Sequence, residues 1–240
     1  MLSSTISTAI LALSIFASTV TGAPWKSPYG GQPKPRSPAL SKLQLKMPAT
    51  TLPPPTGLQL KFVGLGIGTQ NYTCDNDTAP VGTTGALATL YDLGTRLNDD
   101  PMAQWKLASI SGLALSLSSN TKLLDGYLQM SGYSKVLGNH FFTVKIPTFS
   151  LSKVQSTPFP LVFGKKNGTM DAPSTSCPGT KGEGAVPWLQ LVDNGGSQGG
   201  VNTVYRLETA GGKSPAACTG QKKTFEVPYA AQYWVFGPAS

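Results

Sequence analysis

The segment LQLKFVGLGIGTQNYTC, residues 58–74, has the two-residue periodicity that bears most directly on the fold. Leu58, Leu60 and Phe62 share one face of an extended chain, and glycine continues the alternation at every second position up to Gly68. This period predicts β structure, and glycines inside a strand are typical of bulges. We interpret the segment as two strands or as one bent strand.

Similar segments follow along the chain. They predict strands at 86–92, 139–146 and 159–163, a hairpin with a long connection at 186–192 and 201–209, and a final strand or pair of strands at 225–236. The composition, with 27 Gly, 20 Pro and 12% charged residues, favours short strands and many turns over a helical bundle. We expect one all-β domain over residues 57–240, mainly an antiparallel β-sandwich or flattened barrel with at most one or two short helices.

Residues 93–131 fit a strand pattern less well. Leucines at 113, 115 and 117 indicate a strand late in the ambiguous segment 93–121. In residues 121–130, four apolar side chains share one helical face, and Asn120 or Thr121 precedes them as an N-cap. We therefore expect a short helix over 121–130.

The N-terminal region predicts export from the cell. Residues 1–22 contain no charged side chain, and their apolar run is too short to span a bilayer, which is typical of a signal peptide cut after Gly22. Three glycosylation sequons begin at Asn71, Asn76 and Asn167. No later stretch reaches membrane length, so we expect a secreted glycoprotein without a transmembrane segment.

Residues 23–56 differ in composition from the rest of the chain. They contain nine prolines and five Lys or Arg residues but no acid, within a chain of formal net charge +8. Proline lacks an amide donor and fixes φ, so we expect a disordered, extended arm. The arm is interpreted either as a spacer or as a segment that binds polyanions.

The three cysteines, Cys74, Cys177 and Cys218, allow three pairings in an oxidising compartment, with one thiol left over. None of them forms a CxxC motif, and the single histidine excludes the usual Cys/His zinc sites. We predict no bound metal, no cofactor and no nucleic-acid partner.

Two glycine motifs resemble known ligand loops but lack the required context. Residues 195–199 fit G-x-S-x-G, yet His140 lies upstream and the segment that follows is strand-like, which favours a hairpin loop over a hydrolase nucleophile elbow. Gly64, Gly66 and Gly68 lack the full GxGxxG spacing and a following helix. We predict neither a catalytic serine nor a nucleotide site here.

The remaining candidates are aromatic or acidic. Burial in the sheet is the default interpretation of Trp188, Tyr205, Tyr233 and Trp234, which would also suit a carbohydrate-stacking platform. His140 is a further candidate for binding, and a hydrogen-bonded position in the core or at its rim is its default interpretation. Asp99 and Asp100 would suit glycoside hydrolysis only if they faced one another, and a turn is the simpler interpretation.

Several segments together resemble a known family. They are GLQLKFVGLGIGTQNYTC (57–74), GNHFF (138–142), VPWLQL (186–191), VNTVYRLETAGG (201–212), residues 215–218 and VPYAAQYWVF (227–236). The chain resembles, over about residues 50–236, a domain-of-unknown-function family of secreted proteins that is common in filamentous fungi and has bacterial relatives. Some fungal members carry the automatic label "malate dehydrogenase".

The resemblance implies a secreted, mostly β domain in which Cys74 and Cys218 occupy the positions of the family's recurrent cysteines. Cys74 ends a strand and Cys218 comes just before the last strand, so we predict that these two form the disulfide and that Cys177 stays free or loosely paired. The resemblance implies no catalytic residue. We predict no nicotinamide-dependent dehydrogenase, because the chain has no βαβ pattern and no complete dinucleotide motif.

The function expected from the sequence is that of a secreted, cell-surface or wall-associated glycoprotein without catalysis, which contacts a cell-wall polysaccharide or a host surface component. The alternative is a secreted carbohydrate-active or other hydrolytic enzyme with a carboxylate-based site.

Overall fold

The computed structural model describes residues 39–239. The elements in chain order are α1 (Ser41–Gln44), β1 (Leu58–Thr73), β2 (Gly82–Asp92), α2 (Gly94–Leu97), α3 (Ala103–Leu117), α4 (Thr121–Ser131), β3 (Val136–Thr143), β4 (Ile146–Ser150), β5 (Leu161–Met170), β6 (Trp188–Asp193), β7 (Thr203–Gly211) and β8 (Thr224–Pro238). Each strand pairs antiparallel with the next, and β8 pairs with β1 to close a barrel of eight strands. The mainly antiparallel β architecture is confirmed, in its barrel form.

The strands β1 and β8 form the longest wall of the barrel. They contain 16 and 15 residues and pair from Leu58–Pro238 to Thr73–Thr224. Residues 58–73 are thus one strand, with a register shift between Leu60 and Phe62, and the final segment is also one strand.

Alternation along β8 separates the interior of the barrel from its outer face. Tyr229, Ala231, Tyr233 and Val235 belong to an apolar cluster to which all eight strands contribute and no helix does, which places it in the interior. Residues 234 and 236 belong to a second cluster shared with the helices, on the outside of the barrel. The aromatic C-terminal strand is therefore buried on both faces.

The prediction of a strand late in residues 93–121 is wrong, because α3 occupies Ala103–Leu117. Its buried residues include Ala103, Leu107, Ile110 and Ala114, a helical spacing, and it packs across β7 and β8. Exposed apolar residues such as Trp105 obscure this stripe in the sequence.

The helix expected over 121–130 is confirmed as α4. Asn120 caps it by accepting a hydrogen bond from the backbone N–H of Leu123, and Gly132 ends it with φ of 74°. The helix could be predicted from the sequence because a capping residue marks each of its ends.

Residues 39–56, which we expected within a disordered arm, pack against the barrel. Leu40, Leu43 and Leu52 are buried, and the side-chain oxygen of Gln44 accepts a hydrogen bond from the backbone of β1. The rest of the predicted arm, and the predicted signal peptide, lie outside the described residues. The leucines of this segment supply enough apolar burial to order it despite its prolines.

Two local expectations changed. Pro147 lies inside β4 instead of ending a strand, and residues 165–168 continue β5 instead of turning. Residues 195–199 form part of the connection between β6 and β7, as predicted. In the described part of the chain no helix has the length and apolarity needed to cross a membrane.

The predicted disulfide between Cys74 and Cys218 is confirmed, with an Sγ–Sγ distance of 2.01 Å. It joins the end of β1 to the loop that precedes β8. Cys177 is a free, half-buried thiol.

Candidate functional site

The five residues expected to form a binding surface are all buried and lie on opposite sides of the barrel wall. His140 and Tyr233 face the interior, where their rings lie 5.3 Å apart between centroids. Trp188, Tyr205 and Trp234 belong to the cluster outside the barrel. Their burial agrees with the default interpretation from the sequence, which is packing in the sheet, and this set presents no exposed stacking platform.

Two of the outer aromatics have structural hydrogen bonds. The Tyr205 hydroxyl donates to the carbonyl of Pro53, which fastens the N-terminal segment to β7, and accepts from the Gln190 amide at 2.7 Å. The Trp234 indole donates to the side-chain oxygen of Gln232. Trp188 differs, because its buried Nε1 has no hydrogen-bond partner among the described residues.

Trp188 lines a groove of about 300 Å³ on the outside of the barrel, which we call the Trp188 groove. One side is the segment 45–49, and the other is α3, which contributes Gln104 and Leu107. Glu208, at the end of β7, also lines it. The groove exists because the N-terminal segment packs beside α3.

Glu208 is the one carboxylate that lines the Trp188 groove. It lies in a β-bulge between Leu207 and Ala210, with φ of 46°, an uncommon value for a residue with a side chain. Burial raises the pKa of its carboxyl to about 6. In the described residues it accepts no side-chain hydrogen bond and forms no ion pair, so this carboxylate is available to a ligand.

The interior holds a separate polar cluster around His140. The His140 ring stacks on Phe149 at 4.2 Å, and its Nδ1 lies 3.0 Å from the carbonyl of Thr148, to which it donates. Burial lowers the pKa of His140 to about 4, so the ring is neutral at neutral pH. Nothing in this arrangement pairs it with a nucleophile.

Arg206 also faces the interior, since its Cα pairs with that of Tyr233 on β8. Its Nε and Nη2 donate to the carbonyl of Pro187 at 3.1 and 2.8 Å. The hydroxyls of Tyr229 and Tyr233 are 2.9 Å apart, and the nearby Gln70 has a buried Nε2 without a partner.

The glycines of the GLGIG segment make room for this cluster. A Cβ at Gly66 would lie 2.5 Å from the Tyr233 ring, and one at Gly68 would lie 1.9 Å from the Leu87 carbonyl. The segment is a paired strand and not a turn before a helix. Its glycines therefore serve close packing inside the barrel.

The adjacent acids Asp99 and Asp100 do not face one another across a cleft. Asp99 pairs with Lys42 at 2.8 Å, and Asp100 pairs with Lys106. Hydrogen bonds from these lysines lower the pKa of both carboxyls. Among residues 39–239, no three His, Cys, Asp or Glu side chains lie together as metal ligands would.

The three sequons lie in different surroundings. Asn76 is exposed in the loop after β1, and its Oδ1 accepts from the backbone and hydroxyl of Thr78. Asn71 is half-buried on β1, whereas Asn167 is exposed on β5 but its Nδ2 donates to Gln190 at 2.7 Å. Modification of all three asparagines stays a prediction.

Sequence reasoning missed Glu208, Arg206 and Gln70. Arg206 shares the inward face of β7 with Val204, but alternation alone does not show that this face is the interior. The bulge at Glu208 carries no glycine or other turn residue that would mark it.

No curated protein and no solved structure gave a significant match to this chain. Residues 54–237 match the model of a family described as "Protein of unknown function (DUF3455)". This match spans the whole barrel, from the residues before β1 to the end of β8, and the chain belongs to that family.

Proposed function

We propose that this protein is a secreted, wall-associated glycoprotein that binds a cell-wall polysaccharide in the Trp188 groove without catalysing a reaction. The observation that carries the proposal is the groove itself, which is lined by Trp188, whose buried indole N–H lacks a hydrogen-bond partner, and by the half-buried carboxylate of Glu208, which forms no ion pair among the described residues. A buried N–H is normally hydrogen-bonded, so the unpaired indole of Trp188 supports a ligand at this groove.

A sugar hydroxyl can supply hydrogen-bond partners for both Trp188 and Glu208. Trp188 can only donate a hydrogen bond, whereas the ionised Glu208 can only accept one. A sugar hydroxyl both accepts and donates, so neighbouring hydroxyls on one ring satisfy both residues. Trp188 is 2% exposed, so its ring offers no stacking face, and a sugar hydroxyl must displace the contacts that cover the buried Nε1 in order to bind it.

The disulfide supports an extracellular location, because such bonds persist in oxidising compartments. The signal peptide and the sequons expected from the sequence point the same way. Lys42 and Lys46 of the predicted arm contact Asp99 and the Asp100 carbonyl, so any electrostatic attraction of the arm to polyanions depends on its remaining cations.

A hydrolytic enzyme is the second candidate, and Glu208 is the observation that favours it. Its pKa of about 6 suits a general acid, and uncommon backbone conformations recur at active sites. Glycoside hydrolysis requires two carboxyl groups across the bond, and the groove is lined by one. Binding is therefore the function that the groove supports better.

The test is a pull-down with insoluble wall polysaccharides, chitin and β-glucan. We expect Trp188→Phe, which keeps the ring but removes the N–H, and Glu208→Gln to reduce retention about tenfold each, as loss of a buried hydrogen bond does. Trp105→Phe on the exposed face of α3 is the matched control and should bind as the wild type does.

Equal retention of all three variants, or no retention of the wild type, would overturn the binding proposal. Soluble sugar released by the wild type but not by Glu208→Gln would assign the groove to the hydrolytic alternative. Retention on host surface preparations alone would replace the polysaccharide by a host component.

A further inference from the structure

The strand β8 has an open edge over its first residues. On one side it pairs with β1 along its whole length, beginning at Thr224. On the other side its pairing with β7 stops at Gly211 and Tyr229, so no strand of the described chain pairs with residues 224–228 on that side. An open strand edge presents unpaired backbone N–H and C=O groups, which are what an added strand binds.

The register shows which backbone groups are free. Cys74 donates its backbone N–H to the carbonyl of Lys223, and successive residues of an antiparallel strand direct their backbone groups to alternate sides. The N–H and C=O groups of Thr224 and Glu226 therefore point away from β1. None of the backbone hydrogen bonds made by loops within residues 39–239 reaches these groups.

The edge stays open because the connection between β7 and β8 is held on the β1 side. Cys218 in this connection forms the disulfide with Cys74, which follows β1. The hydroxyl of Thr219 donates to the carbonyl of Asp77, which also lies in the chain after β1. These contacts keep the connection away from the line along which β7 would continue.

A groove of about 690 Å³ borders the open edge, and we call it the β8 groove. Residues 224–228 line it together with parts of the loop before β6 and of the connection after β7. The backbone N–H of Lys213 donates to the carbonyl of Gly184 at 3.1 Å, which joins that loop and that connection into one surface. A strand added to the edge of β8 would occupy this groove.

The β8 groove has a surplus of cations. Its lining includes Lys181, Lys213 and Lys222, which are exposed, and the ion pairs found within residues 39–239 use other lysines. Two acids also line it. The carboxylate of Glu183 accepts a hydrogen bond from the backbone of Lys181 at 2.9 Å and so serves its own loop, whereas Glu226 is exposed on β8. The groove therefore attracts acidic ligands.

We propose that the β8 groove binds an acidic, extended peptide segment of another protein as an added strand. The free backbone groups of Thr224 and Glu226 supply the hydrogen bonds of the new ladder. The half-buried side chains of Phe225 and Val227 line the groove and supply apolar contact. The segment continues the line of β7, so it runs antiparallel to β8.

The charge of the groove selects this occupant. Residues 23–38 of the same chain contain Lys26, Lys34 and Arg36 but no acid, so they do not complement the lysines of the groove. Two copies of the protein joined edge to edge would place two sets of these lysines around one groove. An acidic segment of another protein meets neither penalty. The proposal does not depend on the Trp188 groove.

The experiment measures binding of a fluorescein-labelled peptide of alternating Glu and Val to the full protein by fluorescence anisotropy. We expect saturable binding that weakens as salt rises, because exposed charges are screened. Two control peptides have the same length, one with methylated backbone amides and one with Lys in place of Glu. Each should bind at least about tenfold more weakly, because the first lacks the ladder donors and the second is repelled by the lysines.

Glu226→Pro is the decisive variant. It removes an N–H that faces the groove but no hydrogen bond to β1, and it should weaken peptide binding about tenfold. Glu226→Gln, its matched partner, removes only a repelling charge and should strengthen binding about twofold.

Two lysine variants complete the design. Lys213→Gln should weaken peptide binding about threefold, and it keeps the proposal testable if Glu226→Pro does not fold. Lys153→Gln, an exposed cation in the connection between β4 and β5, is the control for net charge and should bind the peptide as the wild type does.

The proposal is overturned if the wild type does not bind the peptide, or if Glu226→Pro or Lys213→Gln binds it as tightly as the wild type. It is also overturned if either control peptide binds as tightly as the alternating one. Heparin binding without peptide binding would overturn it in favour of an anionic polysaccharide. A dimer that Glu226→Pro dissociates, without peptide binding, would overturn it in favour of a second copy. Retention on chitin or β-glucan has no bearing on these outcomes.

Discussion

His140 shows how its position inside the barrel changes the chemistry of a side chain. The folded protein holds it neutral, because burial lowers its pKa to about 4 from an ordinary 6.5. The unfolded chain therefore binds a proton between about pH 6.5 and pH 4 that the folded protein does not bind, and stability falls as the pH falls through this window. Tyr233 and Arg206 are the other titratable groups that face it.

We expect His140→Gln to reduce this acid sensitivity. Between about pH 7 and pH 4, the wild type should lose up to about 3 kcal/mol more than the variant in its free energy of unfolding. Urea unfolding at the two pH values measures the difference. An unchanged pH dependence in the variant would show that the ring is not held neutral.

Glu208 should produce the opposite trend. Burial raises its pKa to about 6 from 4.5, so the folded protein binds more protons than the unfolded chain between these values. Stability from this group is present below about pH 4.5 and is lost as the pH rises to about 6. Lys46 lines the same groove, and its ammonium donates to the carbonyl of Asp100.

Glu208→Gln should therefore be more stable than the wild type above pH 6, by about 1 kcal/mol after allowance for partial exposure. The two proteins should be equally stable near pH 4. Thermal unfolding across this pH range, with Glu226→Gln as an exposed control, measures the effect. A variant less stable than the wild type at neutral pH would mean that Glu208 has a stabilising partner.

Two glycines, one in a crowded site on a strand and one in an open site on a helix, provide a test of the packing. Gly66 on β1 faces the Tyr233 ring, which a Cβ would approach to 2.5 Å, whereas Gly126 on α4 has nothing within 4 Å of its Cβ position. We expect Gly66→Ala to cost about 1–3 kcal/mol through overpacking. Gly126→Ala should instead stabilise by up to about 1 kcal/mol, because it lowers the entropy lost on folding.

Urea midpoints of the two alanine variants, at unchanged slope, measure these effects. A Gly66→Ala variant as stable as the wild type would show that the barrel interior has spare room beside Tyr233.

A helix whose ends carry capping residues was predicted correctly, whereas a helix without a side-chain cap was not. The helix α4 carries Asn120 before it and Gly132 after it. The helix α3 has no side-chain cap, and its apolar residues are not confined to one face. The alternation of its last leucines therefore has the two-residue period of a strand. The segment 40–52 was expected to be disordered because of its prolines, but its leucines are buried against the barrel.

For the whole molecule, the disulfide closes nearly the full length of the barrel sequence. Cys74 and Cys218 are separated by 144 residues, so their bond lowers the entropy of the unfolded chain by closing a long loop. Replacing both by alanine should cost about 5 kcal/mol in the chain-entropy model. Cys177→Ala, which removes the half-buried free thiol, is the control and should change stability much less.

Denaturant unfolding under non-reducing conditions measures both variants. A double alanine variant as stable as Cys177→Ala would show that the β1–β8 wall holds the chain ends together without the covalent bond.

The mainly β class, the helix α4 and the pairing of Cys74 with Cys218 could be predicted before the structure was known. The first two rest on periodicity and end signals, which neighbouring residues encode, and the third on similarity to a family. The closed barrel, the packing of residues 39–56 and the location of Glu208 and Arg206 could not be predicted. They depend on which strands meet and which face turns inward, and those contacts join residues far apart in the chain.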